Sequence, residues 1–237
     1  MAMYGSKVFP DWVSSSIGNN LNSFYHLMMM VAVYVVCLVS YFIFRINTAS
    51  CSYRRFKHHE LLEWIWTVVP ILILAVLWVP SVRNLYMMNH IGNPYWSFKA
   101  LGHQWYWTYE YTDSASKSIE IESYMVSSED SGYRLLDVDN RMVAPCGVPI
   151  RVLVSSEDVL HSFALPSCSV KVDAIPGRMN QACLFSDKAG IAYGQCSELC
   201  GVNHSFMPIV LEFIPTKNFE SWWTPYRRYI LNRIWYR

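Results

Sequence analysis

The sequence predicts a membrane-anchored all-β protein, in which a two-helix transmembrane hairpin is followed by a β-sandwich domain. Two long uncharged apolar runs lie near the N-terminus, and short apolar runs separated by turn residues begin at about residue 93. Composition agrees, because 53% of the 237 residues are hydrophobic and 16% are aromatic, which is high for a soluble domain. We therefore divide the chain into a hairpin segment at 1–92, a β domain at 93–220 and a tail at 221–237.

The two apolar runs have the length of membrane-spanning helices. Residues 24–44 form a run of 21 residues and residues 64–82 a run of 19, neither with a formal charge. A hydrocarbon layer of about 30 Å needs about 20 helical residues. Pro70 lies inside the second run, which a membrane helix tolerates when neighbouring groups satisfy the freed carbonyl. A buried core helix is the alternative interpretation.

The connector between the runs carries the charges that predict orientation. Its basic residues outnumber its acids, with Arg45, Arg54, Arg55 and Lys57 against Glu60 and Glu63. Positive charge marks the side that is not translocated, so we expect both termini and the β domain on the opposite side. No cleavable signal peptide is evident at the N-terminus.

The β domain is predicted from short apolar segments bounded by Gly, Pro, Asn, Asp or Ser, which favour turns. The segments lie at 118–126, 133–143, 148–156, 161–167, 181–186 and 207–214. Strands separated in this way are typical of an all-β sandwich. Aromatic residues alternate along one further stretch and are predicted to share one strand face. They are His103, Trp105, Trp107, Tyr109 and Tyr111.

Charge excludes one class of partner and predicts another. The formal net charge of the chain is +1, so no basic surface for nucleic acid is indicated. Residues 93–220 hold fifteen acidic and nine basic side chains, a net charge of −6. A negative domain steers a basic partner and makes its association sensitive to salt. Ordinary solubilising charge is the alternative.

One short segment, YGQCSELCGVNHSFMP at 193–208, concentrates potential metal ligands. It holds two thiols, one imidazole and one thioether, from Cys196, Cys200, His204 and Met207. Thiolates and thioethers select copper or iron–sulfur clusters more readily than magnesium or calcium. The best candidate for a further ligand is His161, which follows a β-branched run.

This ligand set leaves several metal sites open. A mononuclear blue-copper site uses one thiolate, so the set has one too many. A tetrahedral zinc site would use both cysteines and both histidines and leave Met207 spare. Alternatively, the two thiolates bridge two metal ions and one imidazole terminates each end. A structural disulfide would explain neither the histidines nor the methionine.

Four segments, at 102–113, 155–167, 173–181 and 194–208, resemble the signature segments of the cytochrome c oxidase subunit II family. With the two-span hairpin and the β domain, the resemblance covers about residues 20–220. It implies a cupredoxin-like sandwich or barrel holding a dinuclear copper centre, CuA. Two bridging cysteines, two terminal histidines and a weakly bound methionine are implied, namely Cys196, Cys200, His161, His204 and Met207.

The resemblance assigns two roles to Glu198. Its backbone carbonyl is implied as a further copper ligand. Its carboxylate is implied to bind a magnesium ion shared with subunit I, and a hard oxygen donor suits magnesium on independent grounds.

The family is the electron-transfer subunit of a haem–copper terminal oxidase. The resemblance implies that electrons from cytochrome c reach the copper centre and then haem in subunit I, where oxygen reduction is coupled to proton pumping. It places the protein in the mitochondrial inner membrane, among lipid and other oxidase subunits, with the C-terminal domain in the intermembrane space.

Some residues match positions that the family uses for its partners. Trp105 is implied as the point where the electron enters. Glu110, Asp113 and Asp139 match positions used for docking. Two acids often found after this segment are missing, where the chain reads SASK at 114–117. Glu63, with Trp66 one turn on, matches a carboxylate at the mouth of a proton-uptake route, although an acid there also favours a helix start.

The tail at 221–237 carries Arg227, Arg228, Arg233 and Arg237 with no acid, and many aromatic residues. We predict a short helix after Pro225 and a position at the membrane surface or in a subunit contact. Packing of the tail aromatics on the β domain is the alternative.

Three other functions compete with the family assignment. A membrane-anchored, zinc-stabilised binding module would use the same strong donors. A quinol-oxidase-type subunit II keeps the fold without copper, and the intact ligand set argues against it. A CuA domain of a nitrous-oxide reductase would share the loop but not the two-span anchor.

Overall fold

The computed structural model describes residues 15–51, 55, 57–90, 92–112, 118–126 and 133–235. Two helices come first, α1 at Ser16–Thr48 and α2 at Glu60–Asn89. Both are long and apolar enough to cross a membrane. The two predicted apolar helices are therefore confirmed, and each extends beyond its uncharged run at both ends.

The surface of both helices is apolar. Large side chains such as Phe44, Trp64 and Leu74 are more than 60% exposed. Each 100 Å² of apolar surface left in water would cost about 2.5 kcal/mol, so a hydrocarbon environment is strongly favoured. The helix α2 contains both Pro70 and Pro80.

The described residues of the β domain form ten strands. They are β1 at Trp96–His103, β2 at Tyr106–Thr112, β3 at Ser118–Ser123, β4 at Met142–Cys146, β5 at Ile150–Ser156, β6 at His161–Leu165, β7 at Val170–Ala174, β8 at Asn180–Leu184, β9 at Gly190–Gln195 and β10 at Pro208–Pro215. Short 3-10 helices lie at Pro166–Cys168 and His204–Phe206, and a final helix, α3, at Thr216–Trp235.

The strands form a five-stranded sheet in the order β3-β2-β1-β5-β8, a three-stranded sheet β4-β10-β9 and a two-stranded sheet β6-β7. The β1–β5 and β4–β10 pairs are parallel. The predicted sandwich is confirmed. Strands β1, β7 and β9 were not predicted, and most of the predicted segment at 133–143 forms turns before β4. In β9, Gly194 lies so close to the Ala164 carbonyl that a Cβ would overlap it, which explains a glycine in a strand.

The core contains the inner face of β2. Trp107, Tyr109 and Tyr111 are fully buried, so the predicted shared face is confirmed for these three. The prediction is wrong for the other two residues, because His103 ends β1 and Trp105 lies in the turn between β1 and β2. That turn reverses the chain and breaks the alternation.

The helix α3 begins at Thr216, well before the predicted start after Pro225, and Pro225 lies inside it. Phe219 and Trp223 are buried, and the Trp96 ring packs edge-on against both at centroid distances of 5.3 Å. This burial orders the turns before Pro225. The predicted boundary at 220/221 therefore crosses a helix, and the first tail aromatics pack on the β domain.

Substituting Trp223 by Ala should lower the free energy of unfolding by about 3–5 kcal/mol, because a large buried ring is replaced by a cavity. Trp222→Ala removes the same side chain from a half-buried position and should cost less. Urea unfolding of the detergent-solubilised chain, followed by near-ultraviolet circular dichroism, measures both. Equal losses would contradict the packing described for α3.

Candidate metal centre

The metal-ligand candidates meet where β6 contacts the loop between β9 and β10. His161 is the first residue of β6, Cys196 follows β9 directly and Met207 directly precedes β10. The backbone N–H of Ser197 donates to the Ser162 carbonyl at 3.1 Å and ties the loop to β6. Tertiary folding thus brings His161 against cysteines that lie far along the chain.

A different histidine imidazole lies beside each cysteine thiol. The Sγ atoms of Cys196 and Cys200 are 3.9 Å apart. Nδ1 of His161 lies 3.9 Å from Cys196 Sγ, and Nδ1 of His204 lies 3.4 Å from Cys200 Sγ. The two thiols therefore form the centre of the cluster.

A weaker donor accompanies each thiol. Met207 Sδ lies 3.5 Å from Cys200 Sγ, and the Glu198 carbonyl lies 3.3 Å from Cys196 Sγ. His161 and Met207 are at most 1% exposed, and neither cysteine exceeds 7%. This set of two thiols, a thioether, the buried His161 imidazole and the half-buried His204 imidazole fits a soft or borderline metal such as copper, and gives a hard cation few oxygen donors.

Ionisation of the two thiols is unequal. Burial is the largest single influence on Cys196 and disfavours its thiolate, but hydrogen bonding to His161, to the Glu198 and Ser162 backbone and to Cys200 together outweighs burial and lowers the pKa to about 7. Burial and the adjacent Cys196 charge raise the pKa of Cys200 to about 12. A metal cation between them would remove this repulsion, because thiolates are the ligating form.

Sequence reasoning missed one residue of this site, Asp158, which it counted only among the acids. Its Oδ1 lies 2.8 Å from His161 Nε2. A carboxylate only accepts, so Nε2 carries a proton and Nδ1 faces the thiol. Burial opposes the shift, yet hydrogen bonding to Asp158 and Cys196 raises the pKa of His161 above its usual value. The sequence did contain a signal for this role, because Asp158 lies three residues before the candidate ligand His161.

The turn between β1 and β2 covers the cysteine loop. Trp105 Nε1 and Gln104 Nε2 donate to the Cys200 carbonyl at 3.2 and 2.8 Å. A Cβ on Gly201 would lie 3.1 Å from Trp105 Cζ2, and the φ of Gly201 is +120°, so this close approach needs glycine. Sequence alternation did not predict that Trp105 touches the loop.

Other predicted residues lie apart from the cluster. The Glu198 side chain is exposed although its carbonyl faces Cys196. Glu110 forms an ion pair with Lys99 at 2.8 Å. Asp139 Oδ1 accepts from the backbone N–H groups of Tyr124 and Asn140.

Two predicted residues remain. Asp113 lies outside the described residues. Glu63 lies in α2, where Oε1 is 2.7 Å from His58 Nδ1.

The anchored β-sandwich and its buried thiol–imidazole cluster define a membrane-anchored metalloprotein with a cupredoxin-like domain. Two family profiles match the chain: "Cytochrome C oxidase subunit II, transmembrane domain" over residues 3–83, and the "periplasmic domain" of the same subunit over residues 96–214. The chain belongs to the cytochrome c oxidase subunit II family, and the protein is a subunit of a haem–copper oxidase complex, as predicted.

Relatives agree with this assignment. Cytochrome c oxidase subunit 2 of Mytilus edulis is 51% identical over 237 residues, covering 94% of this chain and 98% of the relative. The crystal structure of the periplasmic domain of cytochrome oxidase subunit II from Bradyrhizobium japonicum is 45% identical, with a TM-score of 0.55, and covers 60% of this chain and 99% of that chain. A mixed-disulfide intermediate between a thioredoxin-like protein and subunit II of cytochrome c oxidase matches at 43% identity and a TM-score of 0.51, covering 60% of this chain and 97% of that chain.

Metal binding should release protons, in a number that falls as pH rises through about 7. Below that pH both thiols are protonated, whereas above it Cys196 is already a thiolate and Cys200 still carries its proton. Each proton released makes affinity rise about tenfold per pH unit. Calorimetric titration of the metal-free full chain with Zn²⁺, in buffers of different ionisation enthalpy, counts these protons. A count that stays constant from pH 6 to 8.5 would contradict the unequal thiols.

Proposed function

We propose that the protein is the electron-transfer subunit of its oxidase, accepting electrons from cytochrome c at a dinuclear copper centre and passing them to haem in subunit I. Oxygen reduction coupled to proton pumping would then take place in subunit I. The observation that carries the proposal is the paired arrangement of donors. Two buried Sγ atoms lie 3.9 Å apart, and each has an imidazole nitrogen within 3.9 Å.

The centre would be held by two sets of donors, each with one thiol, one imidazole and one weaker ligand. The bridging ligands would be Cys196 and Cys200, the terminal ligands His161 and His204, and the weak ligands Met207 and the Glu198 carbonyl. When bound, the centre supplies one-electron exchange in which the electron is shared by two copper ions. Hydrogen bonds to Ser197, to the Cys200 carbonyl and to the Met207 carbonyl hold the loop that carries the donors, so the donor positions would need little change between the two redox states.

The donor geometry favours this arrangement over a single zinc ion. Among the described residues, the ligand atoms that all lie within 4.8 Å of one another belong to His161, Cys196 and Cys200. His204 joins from the Cys200 side, at 3.4 Å. A tetrahedral zinc would hold all four strong donors about 3.6 Å from one another. In the structure His161 lies beside Cys196 and His204 lies beside Cys200, and this arrangement agrees better with two metal ions that each have one imidazole ligand.

Trp105 would be the group at which the electron enters. Its ring is half-buried, and its Nε1 donates to the Cys200 carbonyl at 3.2 Å. The route from the indole to the bridging cysteine therefore consists of one hydrogen bond and the covalent bonds of Cys200. A flat indole also offers contact area to a partner without demanding a specific hydrogen bond.

Glu110, Asp113 and Asp139 would attract the basic face of cytochrome c. Asp139 is exposed and its carboxylate accepts only backbone N–H groups among the hydrogen bonds described, so its charge is not neutralised by a cation there. The hydrogen bond from Lys99 holds the pKa of Glu110 below its usual value, and the same lysine offsets its charge. We therefore assign the larger share of steering to Asp139.

Two carboxylates would serve other partners within the oxidase. The exposed side chain of Glu198 lies between the bridging cysteines in sequence and is a hard oxygen donor suited to magnesium shared with subunit I. Glu63 would lie at the mouth of a proton-uptake route. Its Oε1 lies 2.7 Å from His58 Nδ1, so a side chain that can accept and donate a proton lies beside it.

We assign the protein to the mitochondrial inner membrane, with the β domain in the intermembrane space. Basic residues concentrate in the connector between α1 and α2, which supports retention of that connector on the matrix side. The exposed apolar surfaces of both helices suit lipid and other subunits.

Electron paramagnetic resonance of the oxidised, copper-loaded protein tests the proposal. Hyperfine structure from two equivalent coppers is expected, and Cys200→Ser should abolish it because a hydroxyl does not supply a bridging thiolate. Cys183→Ser is the matched control, since that thiol lies in β8 outside the cluster. A silent metal as isolated would favour the zinc-stabilised module, and a normal two-copper signal in Cys200→Ser would overturn the ligand assignment.

Trp105→Phe and Asp139→Asn should affect different steps. Loss of the indole N–H removes the hydrogen bond to Cys200 and should slow electron transfer at saturating cytochrome c. Loss of the Asp139 charge should lower mainly the association rate and flatten its salt dependence. Stopped-flow reduction of the assembled oxidase at several ionic strengths separates these effects. Equal effects of both variants on both steps would count against this division.

A further inference from the structure

Asp158 uses both of its carboxylate oxygens within the protein. Oδ1 lies 2.8 Å from His161 Nε2 and accepts from the Val159 backbone N–H at 2.6 Å. Oδ2 accepts from the Gln104 backbone N–H at 2.6 Å. The carboxylate therefore joins β6, which carries a candidate metal ligand, to the turn that carries Trp105.

The same turn is joined to the other side of the cluster. Gln104 Nε2 and Trp105 Nε1 both donate to the Cys200 carbonyl. Cys200 Sγ lies 3.9 Å from Cys196 Sγ, which in turn lies 3.9 Å from His161 Nδ1. These contacts form a ring. Asp158 contacts the Gln104–Trp105 turn, the turn contacts Cys200, Cys200 contacts Cys196, and Cys196 contacts His161, which contacts Asp158 again.

We infer that Asp158 is a positioning residue that sets the orientation of His161 and of the Trp105 turn together. This inference rests on the proposed function, because it concerns the metal centre and the residue at which the electron would enter. One carboxylate thereby fixes the distance between a partner-facing indole and the ligand cluster.

The geometry shows that the Asp158 carboxylate is held by groups within the protein. The Asp158 side chain is 32% exposed, and the imidazole that it contacts is fully buried. Both carboxylate oxygens accept hydrogen bonds at 2.8 Å or less from groups within the protein. Charge-assisted hydrogen bonds of this length restrict orientation strongly.

The test uses the full chain in detergent, with three variants and two measurements. Asp158→Ala removes both contacts. Asp158→Asn keeps the shape but has one acceptor oxygen, so it loses at least one contact. Glu157→Gln removes the same charge from the adjacent, exposed position and is the control.

The first measurement requires no metal. Fluorine NMR of the metal-free chain labelled with 5-fluorotryptophan follows Trp105, whose line is assigned by its absence in Trp105→Phe. The second is Zn²⁺ affinity against a competing chelator, which reports the ligand cluster whichever metal is native.

We expect Asp158→Ala to shift the Trp105 line by more than its width and to weaken Zn²⁺ binding about 10- to 100-fold, the usual effect of losing a partner behind a metal-bound histidine. We expect Asp158→Asn to change at least one measurement and Glu157→Gln to change neither. If the Asp158→Ala variant does not fold, the two measurements on Asp158→Asn test the inference.

An unshifted Trp105 line in Asp158→Ala, or no change in either measurement for Asp158→Asn, would overturn the inference. Failure of the wild-type chain to bind Zn²⁺ or copper would instead overturn the proposed function. The position of the Trp105 line would still test the link between Asp158 and the turn.

Discussion

The buried thiols of Cys196 and Cys200 are held 3.9 Å apart, and the contacts that surround their loop keep them at that distance. Two thiolates at that distance repel in a medium that screens charge poorly. The metal-free protein avoids this by ionising one thiol and keeping the proton on the other, as the lowered pKa of Cys196 and the raised pKa of Cys200 show. A bound cation would replace that proton, because a thiol must lose its proton to become a metal ligand. The site is therefore built to gain stability when metal arrives.

Backbone contacts from three elements hold the loop in place. Ser197 is bonded to β6, and the Cys200 carbonyl accepts from the turn between β1 and β2. The Met207 carbonyl accepts from Trp107 Nε1 at 3.3 Å, which ties the end of the loop to the core of the sandwich. Hydrogen bonds at both ends and in the middle of the loop restrict its conformation. Such rigidity is what an electron-transfer site requires.

Charge in the β domain serves more than one purpose. Asp158 contributes to the net negative charge, yet its oxygens are used inside the protein. Glu110 is paired with Lys99, and Asp139 orders a turn through backbone N–H groups. The net charge of residues 93–220 therefore overstates the charge available to a partner at any one place. Position and pairing decide which acids steer association.

The sequence alone determined the class of the protein, because the features involved are local. Span length, turn spacing and the crowding of ligands into 193–208 are all visible within short windows. The fold, both apolar helices and the family were predictable for that reason. The burial of Trp107, Tyr109 and Tyr111 also followed from alternation within one strand.

Tertiary structure decided what depends on residues distant in sequence. The turn at 104–105 takes Trp105 out of β2 and places it against Gly201, which no period-2 pattern reveals. Packing against Trp96 draws Phe219 and Trp223 into α3 ahead of Pro225. Asp158 acquired its role only when β6 and the β1–β2 turn came together. Local pattern determines which residues are available as ligands and core, and long-range packing determines which of them touch.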